Sequence, residues 1–152
     1  MSDDSLKGKN IVVLGASRGI GREIVRRAHA EQASLLAVAR GHDGLQSLAQ
    51  ELAGMRILAL DASRPDAPQQ VFEAMPPDVL VICGGAIPAT APLQELSWAQ
   101  FAAPWETDVR MSFLFCSHVL RTPLAPGSKV ILISSGAGLG GSPISGGYAG
   151  SK

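Results

Sequence analysis

Tyr148 and Lys152 stand four residues apart in the run YAGSK, with Lys152 the last residue given. Positions i and i+4 of a helix share one face, so the lysine reaches back beside the phenol. An ammonium held there favours the phenolate, and the phenol can then trade a proton with a bound reactant as a general acid or base. Ser135 lies thirteen residues earlier. Its hydroxyl could hydrogen-bond a carbonyl oxygen as charge develops on it. Each of the three alone is an ordinary loop residue. Together they form a candidate proton-transfer site.

A second cluster lies near the other end. Gly15, Gly19 and Gly21, with Ser17, Arg18 and Ile20 between them, make the run GASRGIG after the apolar, β-branched NIVVL. A glycine loop between a strand and a helix lets a pyrophosphate approach the backbone. The helix N-terminus then offers it unpaired N–H groups and the positive end of a dipole. The spacing is GxxxGxG rather than GxGxxG, so the position between strand and helix carries most of the argument. The next apolar run ends Ala39-Arg40, with no carboxylate before Asp43. An acidic side chain there would take a ribose 2′-hydroxyl. Arg40 and Arg18 instead suit a 2′-phosphate, which a guanidinium grips bidentately. NADP is the expected cofactor, in preference to NAD. Asp61, followed by Ala62, ends a third apolar run. It would either accept from an adenine amino group or cap the turn after it.

These residues need elements to position them. Short apolar runs at 10–15, 35–39, 55–61, 78–83 and 129–135 read as strands buried on both faces. Between them lie amphipathic stretches. In the first, Ile20, Ile24 and Ala28 fall on one side, with Val25 beside them. A second helix carries leucine at 45, 48 and 52, and a third spans about 66–74, with Ser63 and Pro65 at its entry. A long helical stretch from Ser97 to Leu120 is broken or kinked at Pro104. Strands alternating with helices give an α/β, doubly wound parallel sheet covered on both sides. The last seventeen residues hold seven glycines. They form either a flexible linker or a loop that something approaches closely.

Composition narrows the classes. Hydrophobic residues make up 46% and charged residues 17%, with zero formal net charge. That balance excludes a disordered acidic tail and a polybasic face for nucleic acid or anionic lipid. The polar start MSDDSLKGKN lacks the apolar stretch of a secretory leader, and no run approaches a membrane span. Cys83 and Cys116, each inside an apolar segment, read as two buried thiols rather than a disulfide. A soluble, cytoplasmic protein is expected, with no metal site.

GASRGIG, Arg40, Asp61, Ser135 and Tyr148-Ala-Gly-Ser-Lys152, in that order, resemble the short-chain dehydrogenase/reductase family along the whole chain. The resemblance implies a Rossmann fold and hydride transfer between NADP(H) and a carbonyl or alcohol. It implies Tyr148 as the acid/base, Lys152 holding the nicotinamide ribose and easing ionisation of the tyrosine, and Ser135 polarising the substrate. Cys83 or Gly84 would keep a backbone contact to the cofactor ribose. A small-molecule substrate and a homo-oligomer are further implications.

Three departures stand out. The family's Asn-Asn-Ala-Gly is here Ile82-Cys83-Gly84-Gly85, without the side-chain amides. The family's relay asparagine matches Asp108, which either holds a water near Lys152 or pairs with its ammonium. Leu14 replaces a threonine. Family members also continue for about another hundred residues. Residues 1–152 therefore read as one NADP-binding domain, truncated after the fifth strand, C-terminally incomplete and possessing an open sheet edge. A single helical turn is expected to hold Tyr148 and Lys152 only loosely. The competing expectation is a non-catalytic NADP-binding module, a sensor or scaffold. A methyltransferase would have no use for YxxxK.

Overall fold

A computed structural model describes residues 6–152; the acidic stretch 1–5 of the polar start lies outside them. Five strands form one wholly parallel sheet: β1 (Asn10–Leu14), β2 (Ser34–Ala39), β3 (Arg56–Ala59), β4 (Val79–Ile82) and β5 (Lys129–Leu132). Their spatial order is β3-β2-β1-β4-β5. The chain winds outward from β1 to β3, then crosses back to β4 and β5. A ligand crevice is expected at that reversal, beyond the carboxyl ends of β1 and β4.

Side chains of a strand alternate between faces, and β1 sorts the core by that rule. Val12 and Leu14 point to one side, where Leu36, Val38, Leu80 and Ile82 join them under Val71 of α3 (Ala67–Ala74) and Met111 and Phe115 of α5 (Arg110–Arg121). Ile11 and Val13 point to the other. There Leu35, Ala37 and Val81 meet Val25 and Ala28 of α1 (Gly19–Ala30) and Leu45 and Leu48 of α2 (His42–Glu51). Both faces are covered over β1, β2 and β4, which is why those strands are apolar instead of alternating; β3 and β5, expected to be buried on both faces, lie at the sheet edges and are only partly buried. Arg22 and Arg26 of α1 both reach Glu51 of α2, at 3.0 and 2.7 Å, and tie those two helices together.

Several expectations need adjusting. Ile20 is not a core residue of α1; it is 62% exposed, and Val25 and Ala28 carry the buried stripe. Cys83 and Cys116 are free, as expected, but half-buried rather than buried. Pro104 breaks the long helical stretch, as expected. It ends α4 (Trp98–Pro104), whose start is fixed by a capping box of Ser97 and Gln100. The chain then widens into a π turn, Trp105–Val109, before α5. Such turns rotate a side chain out of the regular helical series. Here Asp108 is one of the five residues in the turn.

β5 has one neighbour, and Ile131 and Leu132 are 41% and 49% exposed, so the sheet is open at that edge. Among the described residues no helix is long and apolar enough to cross a membrane.

Candidate active site

The crevice lies where the topology puts it. Gly15 leaves β1 at φ +84°, and a side chain on it would enter the backbone of Gly84 beyond β4. A side chain on Gly21 would strike the carbonyl of Gly15. These two glycines let the β1 loop, the β4 loop and the start of α1 close on one another. Gly19 differs: its φ is +56°, and nothing lies within 4 Å of where its side chain would be. That space is the crevice itself.

The crevice is a cleft of about 610 Å³. Gly15, Ser17, Arg18, Gly19, Ile20 and Gly21 line it at one end. Arg40, Asp61 and Ala62 come from the ends of β2 and β3, and Cys83 and Gly84 from the end of β4. Tyr148 and Lys152 line it as well. All thirteen residues assigned to the cofactor from sequence thus share one cavity. Arg18, the residue before α1, supplies no side-chain cap to the first turn of that helix, whose Gly21 N–H instead meets the Cys83 thiol.

Asp61 resolves toward its alternative role. Its Oδ1 accepts from the Ser63 hydroxyl at 2.7 Å and from the Ser63 N–H at 3.0 Å, capping its own turn at the cleft wall. The hydroxyl, then the backbone N–H, hold its carboxyl below the ordinary aspartate value of 3.8; burial opposes them, and the charges of Arg40 and Arg64 assist. A carboxyl lowered in the folded state contributes stability that is complete above 3.8 and lost as pH falls through the lower folded value. Ser63→Ala is therefore expected to be less stable than the parent at about pH 7, with the gap closing under acid. Urea titrations at both pH values check this; a gap that persists in acid would refute it.

Tyr148 and Lys152 arrive on α7 (Gly146–Ser151), with Lys152 at its C-cap. The helix is short, yet it is docked on three sides. A side chain on Gly147 would enter the backbone of Phe101 in α4, and one on Gly150 would meet the Trp105 ring at 3.0 Å. The Ser134 hydroxyl donates to the Lys152 carbonyl at 2.7 Å. Gly138, in α6 (Ala137–Gly140), leaves room for the Lys152 backbone. The glycines of this tail thus admit other parts of the same chain. Packing, not helix length, positions the pair.

The Lys152 ammonium lies over the Tyr148 ring, 5.5 Å from its centroid. It also meets Asp108 Oδ2 at 2.9 Å, in a pair whose side chains are 12% and 5% exposed. Of the two expectations for Asp108, direct pairing is the one realised. Its other oxygen, Oδ1, accepts from the Ala86 N–H at 2.8 Å. Gly85 makes this possible, because a side chain there would come within 3.0 Å of the carboxylate. The glycine at 85 and the carboxylate at 108 therefore fit each other. Asp108 lines a smaller adjoining pocket that it shares with Lys152.

Ser135 is placed differently from expectation. Ser134 lines the cleft and Ser135 does not; the Ser135 Oγ accepts from the Ala137 N–H at 3.2 Å in the turn into α6. Residues that the sequence reading missed include Thr107, Met111 and Ile87. Thr107 and Met111 are four apart on one helical stretch and so share a face, and that mutual spacing was the available signal.

The family model for short chain dehydrogenases matches residues 9–152. The chain belongs to that family. The chain is 28% identical to L-xylulose reductase of Bos taurus over 132 residues, which cover 87% of it and 54% of the reductase. It superposes on a short-chain dehydrogenase/reductase of the glucose/ribitol dehydrogenase type from Brucella melitensis with a TM-score of 0.89 and 25% identity, over 97% of this chain and 65% of that one. A blue fluorescent protein from a metagenomic library, solved in complex with NADPH, gives 0.83 and 30% identity, over 98% and 65%. The chain spans about half the length of the curated relatives it matches. Members of the family are oxidoreductases that use nicotinamide cofactors on small molecules, and the five-stranded parallel sheet with helices on both faces is their Rossmann fold.

Proposed function

We propose that residues 1–152 are the NADP-binding domain of an oxidoreductase that moves a hydride between NADP(H) and a carbonyl or alcohol. The observation that carries this is the convergence of Tyr148 and Lys152 on the cleft lined by the glycine loop. The residues fit the cofactor. Gly19 leaves open space beside the N-terminus of α1, where a pyrophosphate would lie against N–H groups. Arg18 and Arg40 would grip a 2′-phosphate, and the β4 loop at Cys83 and Gly84 would meet the nicotinamide ribose. When bound, the cofactor supplies or receives the hydride. Tyr148 exchanges the proton at the substrate oxygen, and Lys152 orients the ribose. Ser134 is the serine that lines the cleft, and a rotation of Ser135 out of its turn would bring its hydroxyl to polarise the substrate oxygen.

The affinities of the complete gene product for NADPH and NADH test the cofactor assignment. NADPH is expected to bind more tightly, and Arg40→Gln to remove most of that preference, by about tenfold. Equal affinities in the parent would refute it. NADPH consumption across a panel of aldehydes and ketones tests the reaction.

The Asp108–Lys152 pair favours a second reading, a non-catalytic NADP-binding module, because it engages the ammonium that the chemistry would use. That reading predicts binding without consumption of any carbonyl. Exposed Phe113 and Leu120 on α5 support a homo-oligomer, and two free thiols suit a reducing compartment such as the cytoplasm.

A further inference from the structure

We propose that Asp108 is a positioning residue acting through Lys152: it holds the ammonium as half of a buried ion pair, so that the lysine's charge is shared with a carboxylate instead of presented whole to the cleft. This rests on reading Tyr148 and Lys152 as the reactive pair. Asp108 is 4% exposed, and its Oδ2 is buried without a hydrogen bond of good geometry. The ammonium at 2.9 Å is what compensates that oxygen. Oδ1 is fixed by the Ala86 N–H, so the carboxylate cannot swing away without stranding a backbone donor. Charges removed from water in this way act on their neighbours with little screening.

Cys83 reports the effect. Burial pushes its thiol above the ordinary value, while the charge of Lys152 and a bond from the Gly21 N–H pull it back. The charged and titratable groups around the cleft are Lys152 and Tyr148 on α7, Asp108 on the π turn, and Arg18, Arg40 and Asp61. Asp108→Asn keeps the side-chain shape and an acceptor for Ala86 but removes the counter-charge. Lys152 then acts undiminished on Cys83, and more of the thiol ionises.

The test is alkylation by iodoacetamide at neutral pH without nucleotide, followed peptide by peptide, with Cys116 as the internal control. In Asp108→Asn, Cys83 is expected to react about threefold faster or more. Cys116 should be unchanged, and the acceleration should vanish when Lys152→Met is added. An unchanged Cys83 rate would overturn the proposal. So would both cysteines accelerating together, which marks a loosened fold, or the same acceleration in the Lys152→Met background. Gly85→Ala, which crowds the carboxylate without altering charge, is expected to shift Cys83 the same way by a smaller factor, and it carries the test if Asp108→Asn does not fold. These readouts need no turnover. A barren carbonyl panel would sink the oxidoreductase reading and leave this result standing, and the reverse also holds.

Discussion

Tyr148→Phe in the complete gene product is expected to lower kcat by about 10²–10⁴, the range that a positioned acid or base contributes. The substitution removes one oxygen and its proton and keeps the ring. The ring is the part of Tyr148 that the Lys152 ammonium lies over, so the cation retains an aromatic face. Gly147 and Ala149, the buried residues of α7, are untouched, and the helix should stay docked on α4. Nucleotide affinity should therefore change by no more than about twofold, since the glycine loop and the arginines are intact. Loss of kcat with preserved binding assigns the proton transfer to this phenol. Turnover near the parental rate would remove Tyr148 from the chemistry and, with it, the reason for placing a reaction in this cleft.

Gly15→Ala has the second large effect, and it acts on the fold and the binding site together. Gly15 has φ +84°, which costs a side-chain-bearing residue about 1–2 kcal/mol. The added methyl would also enter the Gly84 backbone, which is not a flexible side chain that can step aside. Overpacking of that kind adds about 1–3 kcal/mol, giving roughly 2–5 kcal/mol in all. Relief requires β1 and β4 to part at their carboxyl ends, where the nucleotide would lie. Denaturant titration should show the loss of stability, and nucleotide affinity should fall by tenfold or more at temperatures where the variant remains folded. Gly19→Ala is the contrasting case. Open space surrounds that position, so its effect should fall on nucleotide binding through the positive φ and the approach of the phosphate. A Gly15→Ala protein as stable as the parent would mean that the β1 and β4 loops are not in contact.

Much of this was legible because it depends on local pattern. The five apolar runs became the five strands, although all but β2 proved shorter than their runs, β3 and β5 most of all at Arg56–Ala59 and Lys129–Leu132. Hydrophobicity marks what is buried, whereas a strand ends where its ladder loses a partner. Ile20 was misjudged for a related reason. Its helical spacing matches the core stripe, but it sits at the mouth of the cleft, where an apolar residue faces a ligand site instead of the sheet. Ser135 and Ser134 differ by a single residue after β5, and which of them faces the cleft depends on the turn into α6, which no spacing rule fixes. The docking of α7 was underestimated because helix-nucleation arguments treat a segment alone. Gly147 and Gly150 let α4 and Trp105 supply by contact what length could not.

From its residues alone the chain determined its architecture, its family and the cast of the cleft. Apolar runs, a glycine loop and a tyrosine–lysine spacing are one-dimensional signals of local conformation. What tertiary structure decided was the partner of Lys152. Asp108 lies forty-four residues away, and the π turn, the missing side chain at Gly85 and the N–H of Ala86 together seat its carboxylate 2.9 Å from the ammonium. A charge can be read in a sequence. Whether water or an opposite charge surrounds it depends on which distant elements close over it, and that is settled only when they pack.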